Sequence, residues 1–563
     1  MRILKSFKVV WKGLSLKEKI VALLFAIMAF VGLINFSNFL LSKITVLKPA
    51  VGGTLNYGLW QAPRAINPVV GQNNDTDQEL ISIIFSSILK EDGNGGFKND
   101  LAKEITYNAN NSSAEVILKD DIYFHDGKKL TADDIIFTAS IVKNPEYQSP
   151  LLPLLKDVKF EKLGDNMVRI TLPFSNNNFD QILTFKIIPK HLWENVAHDQ
   201  FTNIELNQKP VGSGPFMVQK IQKDRTGKIT SLVLIRNKRY YNDVFINKIN
   251  VVFYPTNDKA FADFIKGKID IIKEVTPYQK DILKNRSRIK INNIILPRYY
   301  ALFLNQQNSL LADVKIATAL DLAIDKQKIA REVFFGDAEL LNLPISKDFI
   351  GHNQDLNQNK YDPIKAKEIL ADAGFKYNED KGVLSKTKGK VTTNLEFSLL
   401  IPSINEITHL TEILKKNWEE IGVKVNLQIL PLDELYRDYL KSRNYDALIF
   451  GQTYTTNPDL YYFWHSQQAN SLGLNLSLYK DSKLDSLLEL ARSTSDKEEK
   501  DRLLLSIQDI LNTNKPAIFL NNPYYINAFY KNLNMSDKNI YGSYSAFLSN
   551  IETWFIHQKR VLK

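Results

Sequence analysis

The chain has 563 residues, of which 44% are hydrophobic and 24% charged, a balance typical of a folded globular protein rather than a disordered or fibrous one. It contains no cysteine, which excludes disulfides, a thiol nucleophile, an iron–sulfur cluster, a cysteine-based zinc site and a lipidated N-terminal cysteine. The formal charge is +10, but residues 1–19 alone carry a net +5. The rest of the chain therefore lacks the basic runs that indicate nucleic-acid binding.

An uncharged segment, residues 20–42, follows this basic start. As a helix, Ile20 to Leu41 would rise about 33 Å, enough to cross a hydrocarbon core of about 30 Å. The basic flank predicts a cytoplasmic tail over 1–19, a single transmembrane anchor over 20–42 and an extracytoplasmic body. A cleaved signal peptide and a buried core helix are the alternatives, but Ser42 to Thr45 do not resemble a cleavage site.

Beyond a linker over 43–52, short strands alternate with amphipathic helices to the C-terminus, which predicts an α/β fold. Thr131 and Asp134 match a capping box, so we expect a helix to about Val142, preceded by a strand over Ile122–Phe124. Asp362 followed by Pro363 predicts the start of another helix, which Gly374 ends.

The clearest helix–strand unit comes later in the chain. Apolar residues from Ile407 to Ile421 recur at helical spacing, Gly422 ends that helix, and residues 423–429 then alternate as a strand. Two helices, at about Lys483–Arg492 and Asp496–Leu511, are expected before a strand over Ala517–Leu520.

No pattern in the sequence points to catalysis. The seven histidines form no zinc-hydrolase pair, and no nucleophile elbow, phosphate loop or dinucleotide-binding turn is present. Gly212 to Pro215 reads as a turn, and the carboxylate pairs Asp120-Asp121 and Asp133-Asp134 are adjacent in sequence rather than across a cleft. The sequence therefore predicts a protein that is not an enzyme and has no metal and no cofactor.

A series of local patterns instead follows the order of a known family. Lys119 to Gly127 (KDDIYFHDG) and Leu130 to Ile135 (LTADDI) resemble the signature of family 5 extracytoplasmic solute-binding proteins, the peptide and nickel type that serves ABC importers. Further matches follow in family order across about residues 52–530: Gly52-Gly-Thr-Leu, Asn67-Pro68, Pro210 to Phe216, Arg236-Asn237, Tyr240-Tyr241, Phe264 to Asp270, Ala319 to Asp325, Ala366 to Gly374, Trp418 to Val425 and Leu484 to Leu488.

The resemblance implies a type II periplasmic-binding-protein fold with three lobes. Lobe I would comprise residues 53–85, 206–298 and 520–563, lobe II residues 86–205, and lobe III residues 299–519. Crossovers near Pro297–Tyr300 and Ala517–Asn521 would form the hinge between lobes I and III. The implied function is capture of a peptide-like or other polar solute in the interlobe cleft and delivery to the permease and ATPase of an ABC importer by a membrane-anchored monomer. The lobes would close on the solute, and the permease would recognise this closed form.

In the family, cleft contacts come mainly from two loops. The first corresponds to residues 57–68 and the second to residues 451–459, after the strand Asp446–Phe450. The expected ligand-binding residues are Trp60, Arg64, Gln452, Thr453, Tyr454, Thr455, Tyr461 and Trp464. Trp60 could equally be an exposed loop residue, and Arg64 could pair with a neighbouring carboxylate.

The second loop departs from the family pattern. Peptide-binding members place an aspartate about five residues after the glycine, where it pairs with the ligand's ammonium group, whereas this chain has Tyr454 to Thr456. Asp459 follows Pro458 and is better placed to cap the next helix. The sequence therefore favours a neutral or polar ligand over a zwitterionic peptide. Such a ligand could be an oligosaccharide, or a peptide held by residues other than this loop. His465 suggests either a structural role or a nickel complex.

Two other functions are open at this point. A ligand-sensing surface protein could use the same fold without transport, although a 19-residue tail is too short for a signalling output domain. A surface hydrolase or chaperone would need a site that the sequence does not reveal.

Overall fold

The computed structural model describes residues 13–71, 74–93, 96–173, 179–356, 361–470, 473–494, 496–535 and 545–563. The predicted tail over 1–19 falls outside the described residues as far as residue 12.

The first sheet has seven strands in the described part of the chain and is built from three chain segments. In spatial order, its strands are Ile289–Ile294, Tyr525–Tyr530, Ile271–Ile272, Gly52–Trp60, Ile246–Tyr254, Ile229–Arg236 and Phe216–Lys223. Gly52–Trp60 runs parallel to both Ile246–Tyr254 and Ile271–Ile272. The carboxyl ends of these three strands therefore meet at one edge of the sheet.

The second sheet has six strands among the described residues, all within 298–523. Their spatial order is Ala338–Leu340, Ala517–Pro523, Arg298–Leu304, Ala447–Thr453, Glu396–Pro402 and Lys424–Leu430. The last three strands are parallel to one another, and each of the first three is antiparallel to the strands beside it. This mixed sheet, covered by helices on its faces, agrees with the predicted α/β class.

A third sheet carries four strands in the part of the chain that the structure describes. They are Ala102–Tyr107, Ser113–Leu118, Met167–Thr171 and Lys159–Gly164 in spatial order. Smaller sheets pair Leu89–Glu91 with Phe97–Asn99, and Lys376–Asn378 with Val383–Lys388 and Val391–Asn394. The larger helices are Asp75–Ile84, Ala132–Lys143, Asn257–Ile265, Pro277–Leu283, Val314–Leu322, Lys326–Glu332, Pro363–Asp372, Asn405–Glu420, Ser482–Ser493 and Lys497–Asn514.

Most of the elements expected from the sequence are present. Thr131 and Asp134 form the capping box of Ala132–Lys143, Asp362 caps Pro363–Asp372, and Gly422 follows Asn405–Glu420 with a φ of +84°. The strand expected over Ile122–Phe124 was wrong, because this segment forms a single bridge, Tyr123 with Lys129, in a tight turn.

The chain passes from the first to the second sheet between Ile294 and Arg298, and returns between Pro523 and Tyr525. The first passage agrees with the start of the expected crossover at Pro297–Tyr300. The second expected crossover, Ala517–Asn521, was wrong, because these residues lie inside a strand that still pairs with Ala338 at Pro523.

The buried apolar side chains form separate clusters on either side of these passages. One cluster joins the first sheet to the third and contains no described residue between 298 and 523. Two others cover the faces of the second sheet, and Tyr524 packs against one of them and against a cluster of the first sheet. Because apolar burial is the main favourable term in folding, each half is held together more strongly than the halves hold each other.

An apolar helix, Leu16–Ile44, precedes the body. Its most apolar stretch is not buried against the rest of the described structure. Within this helix, Leu16–Ser37 reaches a mean hydropathy of 2.5, and its 22 residues are long enough to cross a membrane. The next residues, Thr45–Ala50, do not form an irregular linker but pair antiparallel with the C-terminal strand His557–Leu562.

A buried charge cluster stabilises the second sheet and its helices. The Asp321 carboxylate lies 3.0 Å from Lys326 Nζ and 2.8 Å from Lys515 Nζ. Burial alone would raise the pKa of Asp321, but the two ammonium groups hold it at about 2. An acidic group whose folded pKa is depressed stabilises the fold above its unfolded pKa and loses that effect as the pH falls.

We therefore expect the Asp321 interactions to contribute about 2 kcal/mol above pH 4 and to lose this contribution as the pH falls from about 4 to 2. Asp321→Asn should lower the free energy of unfolding by about 3 kcal/mol at pH 7, since two buried cations lose their partner. Urea unfolding at pH 7 and pH 3 measures both effects. Asp372→Asn, at an exposed helical position, is the matched control. Equal pH dependence in parent and Asp321→Asn would contradict the assignment.

Candidate functional site

A cavity of about 570 Å³ lies between the first and second sheets, beside the second chain passage. The first sheet and its loops contribute Trp60, Pro255, Thr256, Asn257, Glu274, Val275, Thr276, Pro277, Tyr525 and Ile526. The second sheet and its helices contribute Arg298, Tyr300, Phe334, Asp337, Ile404, Glu406, Ile407 and Pro523, with Tyr524 between the two sides. The cavity therefore has one wall from each half of the molecule.

Its position follows from the strand directions. Trp60 and Tyr254 are paired at the ends of parallel strands, and Lys273 and Glu274 follow a third parallel strand. The region outside the carboxyl ends of parallel strands is where α/β sheets bind ligands, because the connecting loops leave a crevice there.

Two helices also begin at this cavity. Thr256 caps Asn257–Ile265 by accepting a hydrogen bond from Lys259 N, and Asn405–Glu420 starts beside Ile404. Helix N-termini present unpaired backbone N–H groups and a partial positive charge. One part of the cavity therefore favours carbonyl or carboxylate groups.

Glu274 has an unusual conformation at the cavity wall. Its φ of +54° is in the left-handed region, which costs a glutamate energy that surrounding contacts must offset. Burial raises the pKa of Glu274, and Lys273 and a hydrogen bond from the Trp60 indole partly oppose that increase. The backbone thus holds a half-buried carboxylate in a fixed place beside an exposed aromatic ring.

The nearest ammonium group, Lys273, is already engaged behind the cavity. It forms a buried ion pair with Glu79, whose other oxygen accepts a hydrogen bond from Tyr57. Asp75 lies nearby, and burial raises its pKa despite Lys273 and Arg298. Asp75 and Glu274 therefore share two cations, Lys273 and Arg298, and Lys273 is already in direct contact with a third carboxylate, Glu79.

The remaining charged residues on the cavity wall include more carboxylates than cations. Asp337 pairs with Lys280, which joins a helix of the first half to the second sheet, and Glu406 is exposed. Arg298 is the guanidinium on the wall, and its Nη2 donates to Pro523 O at 2.8 Å. Three carboxylates thus face one guanidinium among the described lining residues, which favours a ligand with a positive group.

A second cavity, of about 550 Å³, lies at the opposite end of the second sheet and is lined by Asn305, Ser398, Arg443 and Asp446 among others. All its described lining residues fall within 305–446, so it has no wall from the first half. The cavity between the sheets is therefore the better candidate for a site that closes around a solute.

Of the eight expected ligand-binding residues, the structure places Trp60 on the wall of this cavity, with 40% of its surface exposed. Arg64 is exposed and lies outside the described lining. Its backbone N–H donates to Asp77, which fixes the loop after the first strand.

Gln452 and Thr453 are in a strand rather than in the expected loop, because Ala447–Thr453 extends beyond Phe450 and pairs with Arg298–Leu304. The buried Gln452 side chain accepts from Tyr299 Oη and donates to Leu474 O. Thr453 is exposed opposite Arg298. Gln452 thus joins structural elements and has no free polar group for a solute.

Tyr454 and Trp464 lie in the core. Tyr454 Oη accepts from Ser346 N at 2.9 Å, and Trp464, fully buried, packs near Phe303 and Phe519. Both side chains are buried in this structure, and their contact with ligand stays a prediction.

The other two expected residues lie on the surface of the second half. Thr455 donates to Asn457 O, and Tyr461 stacks on His465 under the Arg492 guanidinium. Neither is among the described cavity-lining residues.

Asp459 and His465 have structural partners. Asp459 accepts from Tyr461 N and lies 3.2 Å from Arg492 Nε. It lies one residue before Leu460, the N-cap of the short helix Tyr461–Trp464, so the expected cap at Asp459 was wrong. The buried His465 accepts from Gln467 N at Nδ1 and contacts Glu489 at Nε2. No group of three or more potential metal ligands occurs among the described residues.

Glu274, Arg298 and the residues around Tyr524 line the cavity but were not predicted from the sequence. These residues come from separate segments of the chain. The identity of a residue alone does not indicate that the fold will place it in a cleft. One local signal was available: Glu274 lies two residues before Thr276-Pro277, a helix start that directly follows a strand.

Comparisons with known proteins show which proteins the chain is similar to. A family model described as "Bacterial extracellular solute-binding proteins, family 5 Middle" matches residues 96–472. The oligopeptide-binding protein AppA of Bacillus subtilis is 28% identical over 533 residues, covering 92% of this chain and 92% of that protein.

Solved structures of bacterial binding proteins are also similar to this chain. AppA from Bacillus subtilis in complex with a nonapeptide has a TM-score of 0.71 and 27% identity, covering 91% of this chain and 100% of that chain. NikZ from Campylobacter jejuni in complex with Ni(L-His) has a TM-score of 0.71 and 29% identity, covering 89% and 99%.

The placement of Tyr454 can be tested by removing its hydroxyl group. Tyr454→Phe should lower the free energy of unfolding by about 1–2 kcal/mol, because the Ser346 N–H loses its buried acceptor. Chemical denaturation measures this change, with the exposed Tyr377→Phe as the control. Unchanged stability would place the Tyr454 hydroxyl in solvent and reopen its role in binding.

Proposed function

The chain belongs to the family 5 bacterial extracellular solute-binding proteins, and we propose that it captures a peptide-like or other polar solute between its two halves. It then presents the closed form to the permease and ATPase of an ABC importer and performs no catalysis of its own. The observation that carries the proposal is the cavity of about 570 Å³ with one wall from each half, at the carboxyl ends of parallel strands.

The lobe division supports a closing mechanism. We retain the division proposed from the sequence, lobe I over 53–85, 206–298 and 520–563, lobe II over 86–205 and lobe III over 299–519, with the last boundary moved to residue 523. Lobes I and II share one core, whereas lobe III has its own. A solute that contacts both walls can therefore stabilise a closed arrangement without disrupting either core.

The charges of the cleft favour a peptide-like solute over a neutral one. A peptide amino terminus would find the Glu274 carboxylate, which substitutes for the aspartate absent from the loop after Phe450. The carbonyl and carboxylate groups of the peptide would accept hydrogen bonds from Arg298 and from the two helix N-termini. The similarity to a relative named for oligopeptide binding supports the same class.

A ligand-sensing role without transport is the second hypothesis. The similarity to binding proteins covers almost the whole chain, including both cleft walls, and favours transport. A monomer suffices for the proposed function, because both walls come from one chain.

The location follows from the N-terminal helix. We propose residues 1–19 as a cytoplasmic tail, 20–42 as a single membrane-spanning anchor and the rest as an extracytoplasmic body. Exposed apolar side chains along Leu16–Ile44 support this arrangement, since a helix left outside the core needs an apolar environment.

A thermal-shift screen of the full chain in nanodiscs tests the ligand class. Peptides, oligosaccharides, nucleosides and a nickel–histidine chelate are the probes. A ligand at about 100 times its dissociation constant should stabilise the protein by roughly 2.7 kcal/mol. Among peptides, free amino termini should stabilise, and N-acetylated versions should stabilise less.

The same screen tests Glu274. Glu274→Gln should remove the preference for a free amino terminus, whereas Glu194→Gln, at an exposed position in lobe II, should retain it. No response to any class would argue against a transport ligand. A response to sugars alone would contradict the peptide-like class but leave solute capture intact.

The anchor is tested by membrane fractionation and mass spectrometry of the N-terminus. We expect the full chain to resist extraction with alkaline carbonate and to retain residues 1–19. A mature N-terminus at residue 43 or later would identify a cleaved signal peptide and refute the anchor.

A further inference from the structure

The segment between the membrane helix and the body is a two-stranded ribbon. Thr45–Ala50 follows Leu16–Ile44 directly and pairs antiparallel with His557–Leu562 over six residues of each strand. Lys563 N donates to Ile44 O at 3.0 Å, so the C-terminus lies against the end of the helix. At about 3.4 Å per residue, the ribbon spans about 20 Å.

The ribbon is strongly basic. Residues 43–52 and 553–563 contain no aspartate or glutamate, and their five lysine and arginine residues are exposed: Lys43, Lys48, Lys559, Arg560 and Lys563. None of the five forms an ion pair with another described residue. Lys48 lies directly opposite Lys559, a like-charge pair that destabilises a ribbon unless an anion offsets it.

Apolar side chains accompany these charges. Leu47 and Leu562 expose 55% and 77% of their surfaces, and Ile44 exposes 53% at the end of the helix. Apolar and basic side chains mixed on one exposed segment are typical of structures that lie in the headgroup region of a membrane.

The base of the ribbon is fixed to the body. Gly52 has a φ of +152°, and a Cβ there would lie 2.8 Å from His557 Cδ2. Gly53 has a φ of +80°, and a Cβ there would lie 3.1 Å from Ile556 Cβ. Glycine at both positions lets the strands meet without a gap where the ribbon joins the first sheet.

We propose that this ribbon binds the anionic lipid headgroups of the extracytoplasmic membrane surface through its five basic side chains. The contact neutralises the Lys48–Lys559 repulsion and holds lobe I at a fixed height and orientation above the membrane. The inference rests on the proposed anchor, since the membrane helix brings the ribbon to the lipid surface.

The absence of cysteine allows a direct test. A nitroxide attached through Gln558→Cys in the full chain, reconstituted in vesicles, reports its exposure to a neutral water-soluble nickel chelate. We expect the exposure to be about threefold lower in vesicles with about 30% anionic lipid than in neutral vesicles, and salt to abolish the difference.

Two charge variants complete the test. Lys48→Glu with Lys559→Glu retains a like-charge pair, so the strands repel as before, but should show equal exposure in both lipids. Lys376→Glu with Lys388→Glu changes the net charge equally on an exposed sheet of lobe III and should behave as the parent does. Equal exposure of the parent label in both lipids, or retention of the difference by the ribbon variant, would overturn the proposal.

Resistance to carbonate extraction of the same vesicles reports the anchor separately. Loss of association refutes the anchor and the ribbon proposal together. Firm association with equal label exposure refutes the ribbon proposal alone. If the difference in label exposure between the two lipids also disappears in Lys376→Glu with Lys388→Glu, the effect depends on total charge. This result would also refute the ribbon proposal.

Discussion

The two chain passages between the sheets are the constraint on which the cleft depends. They lie side by side and are tied together: the buried Asn522 Nδ2 donates to Leu296 O at 2.8 Å and to Ser346 Oγ at 2.9 Å. Arg298 adds a bond to Pro523 O. Because the walls of the cavity continue directly from these residues, the two passages fix where the walls meet. The separate cores on either side are compatible with the proposed closing about these passages.

The charges of the cleft are arranged at two depths. Behind the wall, Glu79 and Lys273 satisfy each other, and Tyr57 satisfies the remaining oxygen. At the wall, Glu274 has a raised pKa and a strained backbone, with no ammonium group of its own. Strain costs on the order of 1–3 kcal/mol and is common at ligand sites, where it holds a group ready for a partner. This arrangement is consistent with the proposed binding of a positively charged group at Glu274.

Under the proposed anchor, the ribbon would connect the body that holds this cleft to the membrane. Its C-terminal strand follows directly from the part of lobe I that packs against Lys90 and Lys98 through the buried Glu552. A flexible linker would let the body rotate freely, whereas paired strands attached through Gly52 and Gly53 transmit a fixed orientation. With the proposed anchor, lobe I would be the fixed half and lobe III the half that closes.

The sequence by itself determined the family, the apolar helix and the elements with strong local signals, such as the Thr131 capping box and the helix ended by Gly422. Each of these depends on neighbouring residues, so it can be read along the chain. The tertiary structure decided that Tyr454 and Trp464 are core residues, that Glu274 and Arg298 meet at the cleft, and that the linker is a strand. These features depend on contacts between segments up to about 500 residues apart, whose pairing leaves no local pattern.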